Sequence, residues 1–157
     1  MSNEYVTKEV NAIYNDTEFT PPLNLAMAAT WILGNLKGVN LKVLDLNHQS
    51  SIADYFVLAS AGNPTQAAAM AEEIVYQMRV LGVEALSTEG IKHNTEWILL
   101  DFADVIIHIF HEPARTIYDL DQLYKNAINV EIPESYYFST PQTTTKSADK
   151  NDFKNYF

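Results

Sequence analysis

The amino-acid sequence predicts an α/β fold in which helices pack on a mixed five-stranded sheet. The first observation is the order of its patterns, because short apolar runs alternate with segments of helical periodicity as α-β-β-α-β-β-β-α. The second is that the apolar runs 97–100 and 105–110 lie four residues apart, which is typical of a β-hairpin. Part of the sheet is therefore predicted to be antiparallel.

The first predicted helix covers residues 23–36, where apolar side chains recur at helical spacing from Leu25 onward. Met27 and Trp31 add apolar surface outside this stripe. A helix that is apolar on more than one face is either deeply buried or contacts a partner. The sequence leaves these two alternatives open.

Two strands and a second helix follow. Residues 41–46 form a short apolar run, and residues 55–59 form a continuous one, which is typical of a strand covered on both faces. Asn63 and Pro64 then supply an N-cap and a first helical residue. The helical pattern continues until Gly82 stops it.

Three strands and a third helix complete the pattern. We predict strands at 83–89, 97–100 and 105–110, with the residues DFAD forming the turn between the last two. Pro113 opens the final helix. Its predicted apolar stripe consists of Ile117, Leu120, Leu123 and Tyr124.

The chain has the length of one domain with tails, at 157 residues. Residues 1–22 are polar, end in two prolines and are predicted to be a flexible arm or one weak helical turn. The predicted strands and helices all lie within residues 23–130. Over residues 131–157 the composition shifts towards Thr, Ser, Asn, Asp and Lys, which predicts a disordered tail.

Composition excludes several kinds of protein. There is no cysteine, so disulfides and cysteine-ligated zinc are excluded. No apolar run approaches the roughly 20 residues that a membrane-spanning helix needs. The N-terminal residues MSNEYVTKEV lack the basic-then-apolar pattern of a secretion signal. We therefore expect a cytoplasmic protein.

The charge pattern disfavours nucleic acid as a direct partner. The net charge is −10, and the ten basic residues are scattered instead of clustered on one segment. Between Glu84 and Asp121, eight acidic residues are accompanied by only Lys92 and Arg115. Such a block repels phosphate backbones and attracts a basic protein, although a plain solvated surface is the simpler interpretation.

The candidate catalytic residues form an incomplete set. There is no glycine-rich phosphate loop and no nucleophile elbow. Asp101, Asp104, His108 and His111 are close in sequence, but acids beside a turn commonly bond their own backbone, and strand alternation sends the two histidines to opposite faces. No metal or cofactor is predicted. The alternative is a metal-dependent nucleotidyltransferase-like enzyme using Asp101 and Asp104 together with Asp54.

Two further side chains allow structural and functional interpretations. Trp97 either anchors the sheet or forms an exposed interaction hot spot. Arg115 follows Pro113 in the first turn of the last helix. A structural salt bridge from Arg115 to Asp101, Asp104 or Asp119 is the simpler interpretation.

Two segments resemble the ribosomal silencing factor S family, also called Iojap-like. The first contains Asp45 and the run SSIADYFVLAS at 50–60. The second contains WILLDFADVIIHIF, followed by RTIYDLDQLY, and ends at Tyr124. The resemblance extends over residues 23–126. It departs from the family pattern at Ala103, where glycine is usual.

The resemblance implies a non-enzymatic function. Family members bind the large ribosomal subunit through its ribosomal protein fourteen, on the face that meets the small subunit. The bound factor blocks subunit joining and represses translation. The family fold is a nucleotidyltransferase-like α/β domain without catalytic acids, and members are commonly homodimers.

The resemblance also implies a partner-binding surface centred on Trp97. Strand alternation places Trp97, Leu99 and Asp101 on one face, and the hairpin turn carries Asp104 to the same end. The residues expected to contact the partner are Trp97, Leu99, Asp101, Asp104, Pro113 and Arg115.

Overall fold

The computed structural model describes residues 4–46, 50–92 and 95–138. The helices are α1 (Glu4–Tyr14), α2 (Leu23–Asn35), α3 (Pro64–Val80), α4 (Glu112–Tyr118) and α5 (Leu120–Leu123), followed by a 3₁₀ turn at Glu134–Tyr136. The strands are β1 (Val39–Asp45), β2 (Tyr55–Ala61), β3 (Ser87–Glu89), β4 (Trp97–Asp101), β5 (Val105–His111) and β6 (Ile128–Asn129). Within these ranges, no helix is long and apolar enough to span a membrane.

The strands form one mixed sheet in the order β3-β4-β5-β2-β1-β6. Only the β2–β5 pair is parallel among the pairings described, and β4–β5 is the predicted antiparallel hairpin. The α/β class with a mixed sheet is therefore confirmed. The predicted count of five is one short, because β6 has only two residues and leaves no periodic signal. The strand predicted at 83–89 begins only at Ser87.

The two faces of the sheet are covered unequally. The first face carries residues such as Val57, Ile98 and Ile107, and it packs against α2 and α3, while α1 packs on α2. The second face carries residues such as Phe56 and Phe110, and among the described residues its apolar cluster is completed by the short helices α4 and α5 and by loop residues. The second face is therefore the less protected one, and it carries the candidate functional site.

The N-terminal residues pack against the body of the protein, contrary to the predicted flexible arm. They form α1, whose Val6 and Val10 are buried in the core against α2. These residues and Ile13 recur at helical spacing, so α1 has an apolar stripe. Most residues of α1 are polar, so the composition of this segment did not indicate a packed helix.

Helix α2 is buried on nearly every side. Met27 is fully buried and Trp31 is 4% exposed. Contacts from α1, α3, the sheet and the 3₁₀ turn cover this helix. The first of the two alternatives, deep burial, is therefore correct, and the apolar surface of α2 offers no face to a partner.

The segment after β6 also packs on α2. Tyr136 is buried, and a Cβ at Gly34 would collide with the Tyr136 carbonyl group. The ring of Phe138 lies 5.6 Å from that of Trp31 in an edge-on contact. The first residues of the predicted disordered tail are therefore ordered, and residues 139–157 lie outside the described part of the chain.

Candidate functional site

Trp97 lies half-buried at the start of β4, on the less protected face of the sheet. Its ring stacks on Phe110 with centroids 5.0 Å apart and planes 29° apart. Tyr118 of α4 is 48% exposed, and the centroid of its ring lies 4.8 Å from that of Trp97. The ring therefore anchors α4 to the sheet and also reaches the surface, and its role as an interaction hot spot stays a prediction.

His108 lies beside Trp97 on the neighbouring strand β5. Its Nδ1 accepts a hydrogen bond from the indole Nε1 of Trp97 at 3.1 Å. Burial, and to a smaller extent the positive charge of Arg115, lower the pKa of His108 to about 4. The imidazole is therefore neutral at neutral pH. The sequence motif contained this histidine, but only the strand register identifies its partner.

The hairpin turn between β4 and β5 is held by its own acids. The Asp101 carboxylate accepts a hydrogen bond of 2.8 Å from the backbone N–H of Ala103, as expected for an acid beside a turn. Ala103 has a left-handed backbone with φ of 75°. This contact supports the bend where the family usually has glycine.

Asp104 is exposed and belongs to the same turn. Its backbone carbonyl accepts hydrogen bonds from the N–H groups of Asp54 and Tyr55, at 2.8 and 3.1 Å. It lies at the turn end of the hairpin beside Asp101, about 13 Å along β4 from Trp97 at the usual rise of a strand. Among the described residues, no group of three or more His, Asp or Glu side chains is placed to hold a metal ion.

Arg115 is 5% exposed and pairs with Asp121, whose side chain is 26% exposed. Its Nε and Nη2 donate to the Asp121 carboxylate at 2.8 and 3.1 Å, and its Nη1 donates to the hydroxyl of Ser60 at 2.9 Å. Lys42 adds a contact of 2.7 Å to Asp121. The hydrogen bonds from Arg115 hold the pKa of Asp121 far below its usual range, despite the opposing effect of burial.

The predicted partners of Arg115 were Asp101, Asp104 and Asp119, and this prediction is wrong. The reason is a break in the last helix. Asp119 has a left-handed backbone with φ of 50°, ends α4, and caps α5 by accepting from the N–H of Gln122. The chain turns there, so Asp121 faces Arg115 instead.

The same break changes the surface of the last helix. A continuous helix would turn Ile117 and Leu123 towards the core, as predicted, but they are 72% and 70% exposed. Leu120 is buried as predicted. Pro113 is exposed in the first turn of α4. The segment α4–α5 therefore exposes two large apolar side chains.

We use the name docking surface for the contact residues predicted from the sequence, with Tyr118 added and Arg115 left out. The definition includes Tyr118, which the sequence analysis missed and which the contact with Trp97 identifies. Arg115 lies beneath this surface. Its members are Trp97, Leu99, Asp101, Asp104, Pro113 and Tyr118.

Comparison with known families gives a match over most of the chain. The family model described as "Ribosomal silencing factor during starvation" matches residues 20–156. A Zymomonas mobilis protein named ribosomal silencing factor RsfS is 32% identical over 110 residues, which are 70% of this chain and 81% of that protein. A Haemophilus influenzae protein of the same name is 32% identical over 92 residues, or 59% of this chain and 89% of that one.

A solved structure agrees with the fold. A crystal structure of a Bacillus halodurans protein is similar with a TM-score of 0.59 and 28% sequence identity. The similarity covers 70% of this chain and 96% of the crystallised one. The α/β domain described above therefore has an experimentally determined counterpart.

Proposed function

This chain belongs to the ribosomal silencing factor family, and we propose that it binds the large ribosomal subunit and keeps the small subunit from joining it. The family match over residues 20–156 is the observation that carries the proposal. The proposed binding partner is ribosomal protein fourteen of the large subunit, in the cytoplasm, as the resemblance implies. Translation is repressed while the factor remains bound.

The proposed contact is the docking surface. Trp97 is half-buried at its centre, with Tyr118 and Pro113 exposed nearby. Aromatic side chains that combine apolar area with a fixed position contribute most of the binding energy at protein interfaces. Asp101 and Asp104 extend the surface along the hairpin and provide acceptors for basic side chains.

Arg115 supports this surface from below. It is too deeply buried to be a main contact, and its guanidinium is occupied by Asp121 and Ser60. Because it ties α4 to α5 and to β2, it holds Tyr118 against Trp97. We therefore assign Arg115 to the support of the docking surface.

Charge favours a basic partner. The exposed acids around the docking surface include Glu96, Asp104, Glu112 and Asp119. Acidic surfaces accelerate encounter with basic proteins, and salt screens this attraction. We expect association with the large subunit to slow as the ionic strength increases.

The proposed mechanism is steric and requires no reaction on the factor. A bound domain occupies space that the small subunit needs. The factor therefore blocks subunit joining when it binds the large subunit at least as strongly as the small subunit does.

Sedimentation tests this function. In a gradient of cell extract, we expect the protein to travel with free large subunits. In a mixture of purified subunits, adding the protein should decrease the fraction of joined ribosomes. Recovery mainly with joined ribosomes or with the small subunit would refute the proposal.

A homodimer is also proposed, on the family resemblance alone. The apolar faces of α2 do not support it, because the chain itself covers them.

A further inference from the structure

We propose that His108 is a positioning residue, whose Nδ1 accepts the indole N–H of Trp97 and fixes the orientation in which the indole meets the partner. This inference rests on the proposed function, in which Trp97 is the central contact. His108 itself is 4% exposed and is not a contact residue.

The other contacts of Trp97 are weakly directional. Its indole packs on the rings of Phe110 and Tyr118, with centroids 5.0 and 4.8 Å away. Such contacts keep an aromatic ring nearby, but they tolerate a range of offsets and tilts. A hydrogen bond constrains the direction of the donor. Within the described residues, the bond to His108 is the directional contact recorded for the Trp97 side chain.

The acceptor is itself held firmly. His108 lies on β5, which pairs with β2 on one side and β4 on the other. The Phe56 ring packs edge-on against the imidazole, with centroids 4.5 Å apart and planes 67° apart. Because the imidazole is enclosed, it acts as a fixed point for the more exposed indole.

The energetic cost of this histidine argues for a specific role. Within residues 4–46, 50–92 and 95–138, its Nε2 has no hydrogen-bond partner. A buried polar group without a partner destabilises a protein, and an apolar residue of similar size would avoid that cost. What the imidazole provides and an apolar side chain lacks is the acceptor at Nδ1.

The protonation state fits this role. Burial and Arg115 lower the pKa of His108 to about 4, so the ring is neutral at neutral pH. A neutral imidazole has one donor and one acceptor nitrogen. Since Nδ1 accepts from Trp97, the proton resides on Nε2.

Two substitutions separate the acceptor from the packing. His108→Leu introduces an apolar side chain of similar size and removes the acceptor. His108→Asn places an amide oxygen near the position of Nδ1 and restores the acceptor. Ile106→Val serves as a control, because it removes a buried methylene group on the same face of the same strand without touching the bond.

The first measurement is hydrogen exchange of the Trp97 indole in the free, full-length protein. The two indole signals of the chain are assigned by Trp97→Phe. We expect exchange to accelerate at least tenfold in His108→Leu, and to return close to the wild-type rate in His108→Asn. Ile106→Val should leave it unchanged. A wild-type indole that exchanges as fast as a free one would overturn the proposal without any variant.

The second measurement is binding to purified ribosomal protein fourteen. We expect His108→Leu to bind about tenfold more weakly, as for the loss of one buried hydrogen bond, and His108→Asn to recover most of the affinity. Unchanged binding in His108→Leu, or no recovery in His108→Asn, would overturn the positioning role. If the wild-type protein itself does not bind, the proposed function fails, while the exchange data still decide whether His108 fixes the indole.

Discussion

Arg115 binds Asp121 across the break between α4 and α5, with both oxygens of the carboxylate engaged at 2.8 and 3.1 Å. The left-handed conformation of Asp119 makes this pairing possible. The ion pair fastens the short segment that covers part of the less protected face. The stability of the docking surface therefore depends on a pair that lies below it.

Replacing Arg115 by methionine should strongly destabilise the protein. The change removes three hydrogen bonds and leaves Asp121 with Lys42 as its remaining cation. We expect the free energy of unfolding to fall by about 2 kcal/mol, because hydrogen bonds from a buried guanidinium are lost while Asp121 keeps its contact with Lys42. Urea denaturation of the wild type and the variant measures this difference in the free energy of unfolding.

Arg79→Met is the matched control for that experiment. Arg79 pairs with Glu84 at 3.1 Å, but both side chains are more than half exposed. Its replacement should change the free energy of unfolding by no more than about 0.5 kcal/mol. Equal effects of the two substitutions would contradict the assigned role of Arg115.

Trp97→Glu should abolish binding to ribosomal protein fourteen while the domain still folds. The indole is half-buried at the surface, so its loss removes the central contact and only part of the packing on Phe110. We expect affinity to fall by at least thirtyfold, a loss of about 2 kcal/mol or more. Circular dichroism and thermal melting check the fold.

Tyr76→Glu provides the comparison, because Tyr76 is 48% exposed on α3, on the opposite side of the sheet. This variant should bind as the wild type does. Weaker binding in Tyr76→Glu, or a Trp97→Glu variant that melts far below wild type, would contradict the assignment of the surface.

Stability should decrease between about pH 6.5 and pH 4 because of His108. Its pKa is about 4 in the folded protein, whereas an unfolded histidine titrates near 6.5. As the pH falls through this window, the unfolded state binds a proton that the folded state does not, so the folded state loses up to roughly 3 kcal/mol. The lowered pKa of Asp121 lowers stability from the ordinary carboxyl pKa downward, and therefore mainly below pH 4.

Urea denaturation at several pH values measures this effect. In His108→Asn, the decrease between pH 6.5 and pH 4 should be shallower than in the wild type. If both proteins lose stability in parallel, His108 does not have the lowered pKa.

Ala103→Gly should stabilise the protein. Ala103 has φ of 75°, a conformation that costs a non-glycine residue about 1 kcal/mol. After the greater chain entropy of glycine is allowed for, we expect a gain of about 0.5 kcal/mol in the free energy of unfolding. The same substitution at the exposed helical residue Ala69 should instead destabilise by about 1 kcal/mol. If both substitutions changed the free energy of unfolding in the same direction, the left-handed backbone of Ala103 would not explain the result.

Light scattering should detect self-association at micromolar concentration. One chain has a mass of 17.7 kDa, and a homodimer would scatter as a particle of twice that mass. A constant mass of one chain across the whole concentration range would refute the proposed dimer.

Local patterns in the sequence predicted much of the fold. The N-cap of α3 is an example, since the side chain of Asn63 accepts from the N–H of Gln66 at 2.8 Å, three residues away. The β4–β5 hairpin is another, because its turn is short and both strands are apolar. These features depend on neighbouring residues, which a sequence displays directly.

The features that were missed depend on distant residues or on a single backbone angle. The Trp97–His108 hydrogen bond follows from the register between two strands. The Arg115–Asp121 pair follows from the left-handed conformation of Asp119, which no periodicity indicates. Helix α1 is mostly polar, so only its contact with α2 reveals it as part of the domain.

The burial of Trp31 sets the limits within which the protein can be shortened. Tyr5 lies against one side of its ring, with centroids 6.1 Å apart, and Phe138 packs edge-on at 5.6 Å. A fragment cut to residues 23–130 would remove both neighbours, uncover the indole and remove the Tyr136 carbonyl group that lies against Gly34. In such a fragment, α2 would expose apolar surface. The fragment should therefore aggregate at concentrations at which the longer chain stays in solution. A shortened version of the protein should therefore keep both Tyr5 and Phe138.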